Sequence, residues 1–260
     1  MLRRGREVKD SVSAHFGSRL SSGEGVLQLA LLGLLSGLGT GAVILLFRSA
    51  IEWPLEYFLP GADSEAFEQL SRAARVWLPL AGALGIGAFL HFLSVTDRRV
   101  GVAHVMHRLN YHQGYMRLRG ALIQFLLGVG TVVTGQSAGR EGPAVHLGAA
   151  FSSLLGQWLR LPNNSIRTLV ACGVAAAIAA SFDTPIAGVI FAMEVVMMEY
   201  TIGVFTPVIL AAVTAAVLTR AVYGAEPAFE VPWVTLQSLW EIPWILLVAA
   251  LIGVAAALFI

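Results

Sequence analysis

Residues 26–47 carry no charged side chain, and as a helix rising about 1.5 Å per residue they would cross a bilayer core of roughly 30 Å. Charged and turn-forming residues follow over 48–75, with Pro60, Gly61 and Asp63 marking a connection. Residues 76–95 predict a second span, in which Gly82, Gly85 and Gly87 would let another helix approach closely. A basic stretch comes next, holding Arg98, Arg99, Arg108, Arg117 and Arg119. Two spans return a chain to the side on which it started. This cluster and the one formed by Arg3, Arg4, Arg6, Lys9 and Arg19 then share the cytoplasmic side.

From Gly120 the apolar segments shorten to 121–134, 143–159, 168–180 and 185–198, each bounded or broken by glycine, proline or charge. Several are too short for a perpendicular crossing. Interrupted segments of this kind belong to transporters whose half-helices end inside the membrane around a site. Residues 206–223 predict another span, and 242–260 one more that stops within an apolar run, as expected of a piece of a longer chain. The pattern predicts an all-α membrane protein with multiple tilted, partly re-entrant transmembrane helices. Residues 1–25 read as a cytoplasmic N-terminal segment, not a cleaved signal peptide, and 26–260 as the transmembrane domain.

Composition agrees. Hydrophobic residues make up 57%, charged residues 13%, and the mean hydropathy is +0.74. A soluble domain carries about twice that share of charge. The net charge of +1 is not gathered into one large patch and gives no reason to expect nucleic acid. Cys172 is the single cysteine, which excludes an intrachain disulfide or a thiolate metal site and leaves it a small core residue. No cofactor is implied.

The run Gly139-Arg140-Glu141-Gly142-Pro143 places a cation and an anion side by side between two apolar segments, where an uncompensated charge costs several kcal/mol. Pro143 fits the first position of a helix, because its missing N–H is not needed there. The glycines let an ion approach the backbone, and the free N–H groups at a helix start form an anion site. A glutamate at that place can occupy the site with its own carboxylate and leave it on protonation. A plain Arg140–Glu141 ion pair holding the loop is the bland alternative.

This run, followed by Ala144-Val145-His146-Leu147-Gly148, resembles the G-[KR]-E-G-P motif of the chloride channel and chloride/proton antiporter (CLC) family. The stretch Ala175-Ala176-Ala177-Ile178-Ala179-Ala180-Ser181-Phe182-Asp183-Thr184-Pro185-Ile186-Ala187-Gly188-Val189-Ile190-Phe191-Ala192-Met193-Glu194 extends the likeness. The resemblance covers most of 26–260 and implies one half of a CLC inverted-repeat fold, with the start of the second repeat. It further implies transport of chloride or a similar small anion, as a channel or a proton-coupled antiporter, by a homodimer in the lipid bilayer. A bacterial inner membrane is the expected location. Glu141 is implied as the gate, with Gly139, Arg140, Gly142 and Pro143 shaping the anion sites.

The run departs from the family pattern at named positions. The first anion loop of the family aligns with Arg99-Val100-Gly101-Val102-Ala103-His104. Val100 stands where a chloride-coordinating serine often lies and Ala103 replaces a proline, so the backbone of Val100, Gly101 and Val102 is left to bind the anion. Glu194 matches the first position of an acidic pair in proton-coupled members, but the second is Val195. Glu199, one turn on, is a candidate substitute in a proton pathway with Glu194.

Other signals compete. Gly135-Gln136-Ser137-Ala138-Gly139 fits the G-x-S-x-G elbow of hydrolases, which would make the chain an intramembrane serine hydrolase; that motif demands a strand before the serine. Otherwise Ser137 caps the backbone or lines a pore. A non-conducting truncated fragment is a third reading. His104, His107 and His112 lack an acidic or thiolate partner and read as a polar face, solvated or at the headgroup level, with no metal. Trp53, Trp77, Trp233, Trp240 and Trp244 read as an interfacial belt, and Asp183, before Pro185, as a helix N-cap.

Overall fold

The structure, a computed structural model, describes residues 24–58, 67, 70–198, 202–224 and 238–259. Among the described residues there is no strand. The described residues form nine α-helices in order: α1 (Glu24–Phe58), α2 (Arg72–Phe92), α3 (Gly101–Tyr111), α4 (Leu118–Val133), α5 (Glu141–Trp158), α6 (Asn163–Phe182), α7 (Pro185–Phe191), α8 (Ile202–Tyr223) and α9 (Glu241–Phe259). A π-helix, Ala192–Met197, continues α7. Leu27–Tyr57, Arg72–Phe92, Asn163–Phe182, Gly203–Tyr223 and Glu241–Phe259 are long and apolar enough to cross a membrane. Residues 1–23, Glu199 and Trp233 lie outside the described residues. Helices α1 to α8 belong to one compact unit and α9 to a second.

The core of the first unit is α6, which packs against α5, α8, α1 and α7. Its alanines and Cys172 are buried, as their small side chains in an apolar run predict. Small residues matter here because, in lipid, helix association rests on close packing and not on hiding apolar area from water. Gly148 of α5 and Gly173 of α6 each lie against the other's carbonyl, with no room for a side chain. Where α1 meets α8, a Cβ on Gly33 or Gly37 would stand 2.5 Å from the carbonyl oxygen of Pro207 or Ala211. Between α1 and α5, Ser152 Oγ bonds Ser36 Oγ at 2.6 Å and Thr40 Oγ1 at 3.3 Å, satisfying buried hydroxyls.

Three expectations change. Helix α1 runs beyond residue 47 because Arg48 pairs with Glu52 one turn on, at 2.5 Å, and lies 3.8 Å from the Tyr223 ring centroid. Helix α6 begins at Asn163 and reaches 20 residues, long enough to cross, because the polar residues before 168 already form its first turns. Asp183 is no N-cap: it ends α6 in the left-handed region at φ 54° and accepts from Arg220 Nε of α8 at 2.6 Å. Thr184 precedes α7 instead, with no side-chain cap. Of the α2 glycines, Gly82 meets the Thr134 side chain, whereas Gly85 and Gly87 face open space.

Candidate anion site

Helix α4 ends in a Schellman turn. Gly135 N–H donates to Val132 O and Gln136 N–H to Thr131 O, each at 3.0 Å, with Gly135 at φ 70°. The turn delivers the chain to α5. Helix α5 starts at Glu141, two residues before the proline expected to open it, because Pro143 is equally free of hydrogen-bonding duty at the third position. The first turn closes with Ala144 N–H on Arg140 O at 3.0 Å, which leaves the amides of Glu141 and Gly142 without a partner inside the helix. A Cβ at Gly142 would meet nothing within 4 Å, so the backbone is bare there.

Glu141 is exposed and makes no ion pair or hydrogen bond among the described residues. Its carboxylate folds back over Gly139, occupying the place a side chain at 139 would take. Arg140 does not pair with it. The half-buried Arg140 lines a small gap shared with Phe47, Arg48 and Ser181, on the side of α1 and α6. Pro143 packs over Gly128 of α4.

Helix α3 begins at Gly101, whose φ of 83° requires glycine, after the extended Val100. The N–H of Gly101, expected to be free, donates to His146 Nδ1 at 3.1 Å. Of that loop's candidate donors, Val102 keeps its amide position at the helix start while Gly101 is already engaged. His146 lies five residues from Glu141, about 7.5 Å along the axis of α5. The start of α3 is therefore tied to the second turn of α5. His146 is 1% exposed and stacks on His104, ring centroids 5.5 Å apart and planes at 10°. From the sequence it is only a poor candidate for the base that a Ser137 hydrolase would need. The available signal was a polar ring inside an alanine- and glycine-rich helix, where it must find a partner.

The remaining positions separate. Glu194 is exposed on the π-helix, which packs against α3, and forms no bond to the Glu141 loop. Ser137 follows helix α4 and not a strand, is exposed, and makes no hydrogen bond among the described residues, so neither the elbow nor a capping role is formed. His104 and His107 are half-buried, with their Nδ1 atoms enclosed and without a partner among the described residues, while His112 is exposed. Among the described residues no group of three acidic, histidine or cysteine side chains is placed to hold a metal.

These features define a polytopic helical membrane protein with two glycine-marked helix starts beside a lone carboxylate. The sequence profile described as "Voltage gated chloride channel" matches residues 82–260, and the chain belongs to that family, the CLC proteins. It is 34% identical over 223 residues to a chloride channel protein described as ClcB-like from Ralstonia nicotianae, across 83% of this chain and 51% of that one. It is 28% identical over 244 residues to the H(+)/Cl(-) exchange transporter ClcA of Vibrio cholerae, across 92% and 52%. The fold matches the crystal structure of a CLC-type fluoride/proton antiporter with a TM-score of 0.68 and 28% identity, covering 89% of this chain and 55% of that chain. The chain thus spans about half the length of the relatives it matches.

Proposed function

We propose that the full-length protein moves chloride or a similar small anion across a membrane through a CLC-type pore, with Glu141 as its gate. The observation that carries this reading is the unpaired Glu141 carboxylate at the first position of α5, folded over Gly139 beside free backbone amides. An anion and the carboxylate compete for those amides. Protonating the carboxylate removes its charge and favours the anion. Gly139, Gly142 and Pro143 keep the helix start bare, Arg140 adds positive charge behind it, and Val100, Gly101 and Val102 supply backbone to the anion path at the start of α3. Residues 26–260 supply the first inverted repeat and the start of the second, with residues 1–25 cytoplasmic, in a homodimer of a bacterial inner membrane. Glu194 leads the proton route, with Glu199.

The relatives are named as chloride channels, as a chloride/proton exchanger and as a fluoride/proton antiporter, so the anion is tested directly. Val100 offers no hydroxyl, which removes one donor that would favour chloride over other anions. The experiment is flux of chloride and of fluoride from liposomes holding the full-length protein, comparing the parent with Glu141→Gln. The variant is expected to lose the pH dependence of flux. Unchanged flux with unchanged pH dependence would falsify the gate. Uphill proton uptake driven by an anion gradient, lost in Glu194→Gln, supports exchange; its absence in the parent assigns a channel.

A further inference from the structure

The links from α2 to α3 and from α3 to α4 close a partly open cavity of about 40 Å³ against α5. That is about three times the space one water needs. The guanidiniums of Arg99, Arg108 and Arg117 line it, with the imidazoles of His104 and His146. Asp97 is the single carboxylate on its wall and is already paired with Arg119 at 3.2 Å. Arg99 and Arg117 have no ion pair or hydrogen bond among the described residues, while Arg108 donates through Nε to Tyr115 O at 2.5 Å.

His146 supplies a second, independent observation. Its Nδ1 accepts from Gly101, so the ring's own proton belongs on Nε2. That nitrogen has no partner among the described residues. It lies 3.9 Å from where a Cβ on Gly120 would stand, and Gly120 is itself on the cavity wall. A side chain 1% exposed thus turns an unused donor into a space ringed by cations. Burial, and then the nearby Arg117, hold the Arg108 guanidinium below its ordinary pKa.

Three planar guanidinium forks match the several oxygens of a phosphoryl group better than they match a spherical halide. The position agrees. Arg99 lies on the link that follows the apolar helix α2 and Arg117 directly before the apolar helix α4, and the exposed Tyr111 and Tyr115 lie at the end of α3 and on the link to α4, as at the headgroup level of a bilayer. We propose that this cavity binds a phosphoryl group, carried by an anionic lipid headgroup or as free phosphate. The proposal does not depend on the Glu141 gate.

The test uses the full-length protein. Native mass spectrometry measures retention of phosphatidic acid against phosphatidylcholine in the parent, Arg99→Gln, Arg117→Gln and Arg98→Gln. Arg98 serves as the control because its bonds go to Leu93 O and His91 O, away from the cavity. The parent is expected to prefer phosphatidic acid, with retention falling about fivefold in Arg99→Gln and in Arg117→Gln and holding in Arg98→Gln. Melting in inorganic phosphate against chloride of equal ionic strength separates the sources. A rise in phosphate assigns the free ion, and lipid preference without that rise assigns the headgroup. Equal retention of both lipids with no phosphate effect overturns the proposal. So does a loss in Arg98→Gln as large as in the cavity variants, or parental binding in Arg99→Gln and Arg117→Gln.

Discussion

The backbone N–H of Gly101 donates to His146 Nδ1 at 3.1 Å and joins the start of α3 to the second turn of α5. Truncating His146 removes the acceptor and leaves a partly buried N–H unsatisfied. It also opens a void beside His104, since the ring is 1% exposed. His146→Ala is expected to cost about 2 kcal/mol or more. His146→Gln, whose amide oxygen can still accept, should recover part of that. The measurement is the melting temperature of the solubilised full-length protein. An Ala variant as stable as the parent would mean that the bond does not hold the two helix starts together.

In the proposed gate, Gly139 and Gly142 have different surroundings. A side chain at 139 runs into the Glu141 carboxylate, so Gly139→Ala must displace it. Anion flux in Gly139→Ala should therefore change in the direction seen in Glu141→Gln, and the double variant should add little to either single change. A methyl at 142 meets nothing within 4 Å. Gly142→Ala should leave stability within about 0.5 kcal/mol of the parent while slowing flux, because the methyl stands beside the bare amides. Additive effects of Gly139→Ala and Glu141→Gln would show that the carboxylate does not rest over residue 139.

The helix start in the Gly139–Pro143 loop was legible because glycines and a proline interrupt the apolar pattern there, and Glu141 and Gly142 do head a helix. The long, uniform spans were legible for a similar reason. Local reading failed where a distant partner decides the outcome. Asp183 looks like an N-cap beside Pro185, but Arg220, 37 residues on, draws it to the end of α6. Arg48 looks like the end of a span until Glu52 and Tyr223 accommodate it within one. His146 shows the same limit, since its partner is a backbone N–H 45 residues away.

Glycines of equal appearance in the sequence differ in role. Gly173 faces the backbone of Gly148 across the α5–α6 contact, and an added methyl has to push two core helices apart. Gly173→Ala is expected to destabilise by about 1–3 kcal/mol through overpacking. Gly85 on α2 faces open space, so Gly85→Ala should be neutral or stabilising by up to about 1 kcal/mol through helix propensity. Melting of the two variants side by side decides it. A neutral Gly173→Ala would show that α5 and α6 do not pack this closely.

His104 gives the protein a pH dependence of defined sign. It lies on α3, which at 11 residues is too short to cross a bilayer. Burial holds its pKa below the ordinary 6.5, helped by Arg108, His107, Arg99 and His112 in that order. The folded state thus keeps His104 neutral where the unfolded chain takes up a proton. Stability from this residue is complete above pH 6.5 and declines as pH falls below it. The melting temperature of the parent should drop between about pH 7.5 and pH 5.5, and His104→Asn should drop less because it has nothing to protonate. Equal drops in the two proteins would assign the acid sensitivity to other groups. Phosphate bound in the neighbouring cavity would raise the His104 pKa by its negative charge, so the parent's drop should shrink in phosphate and that of His104→Asn should respond less.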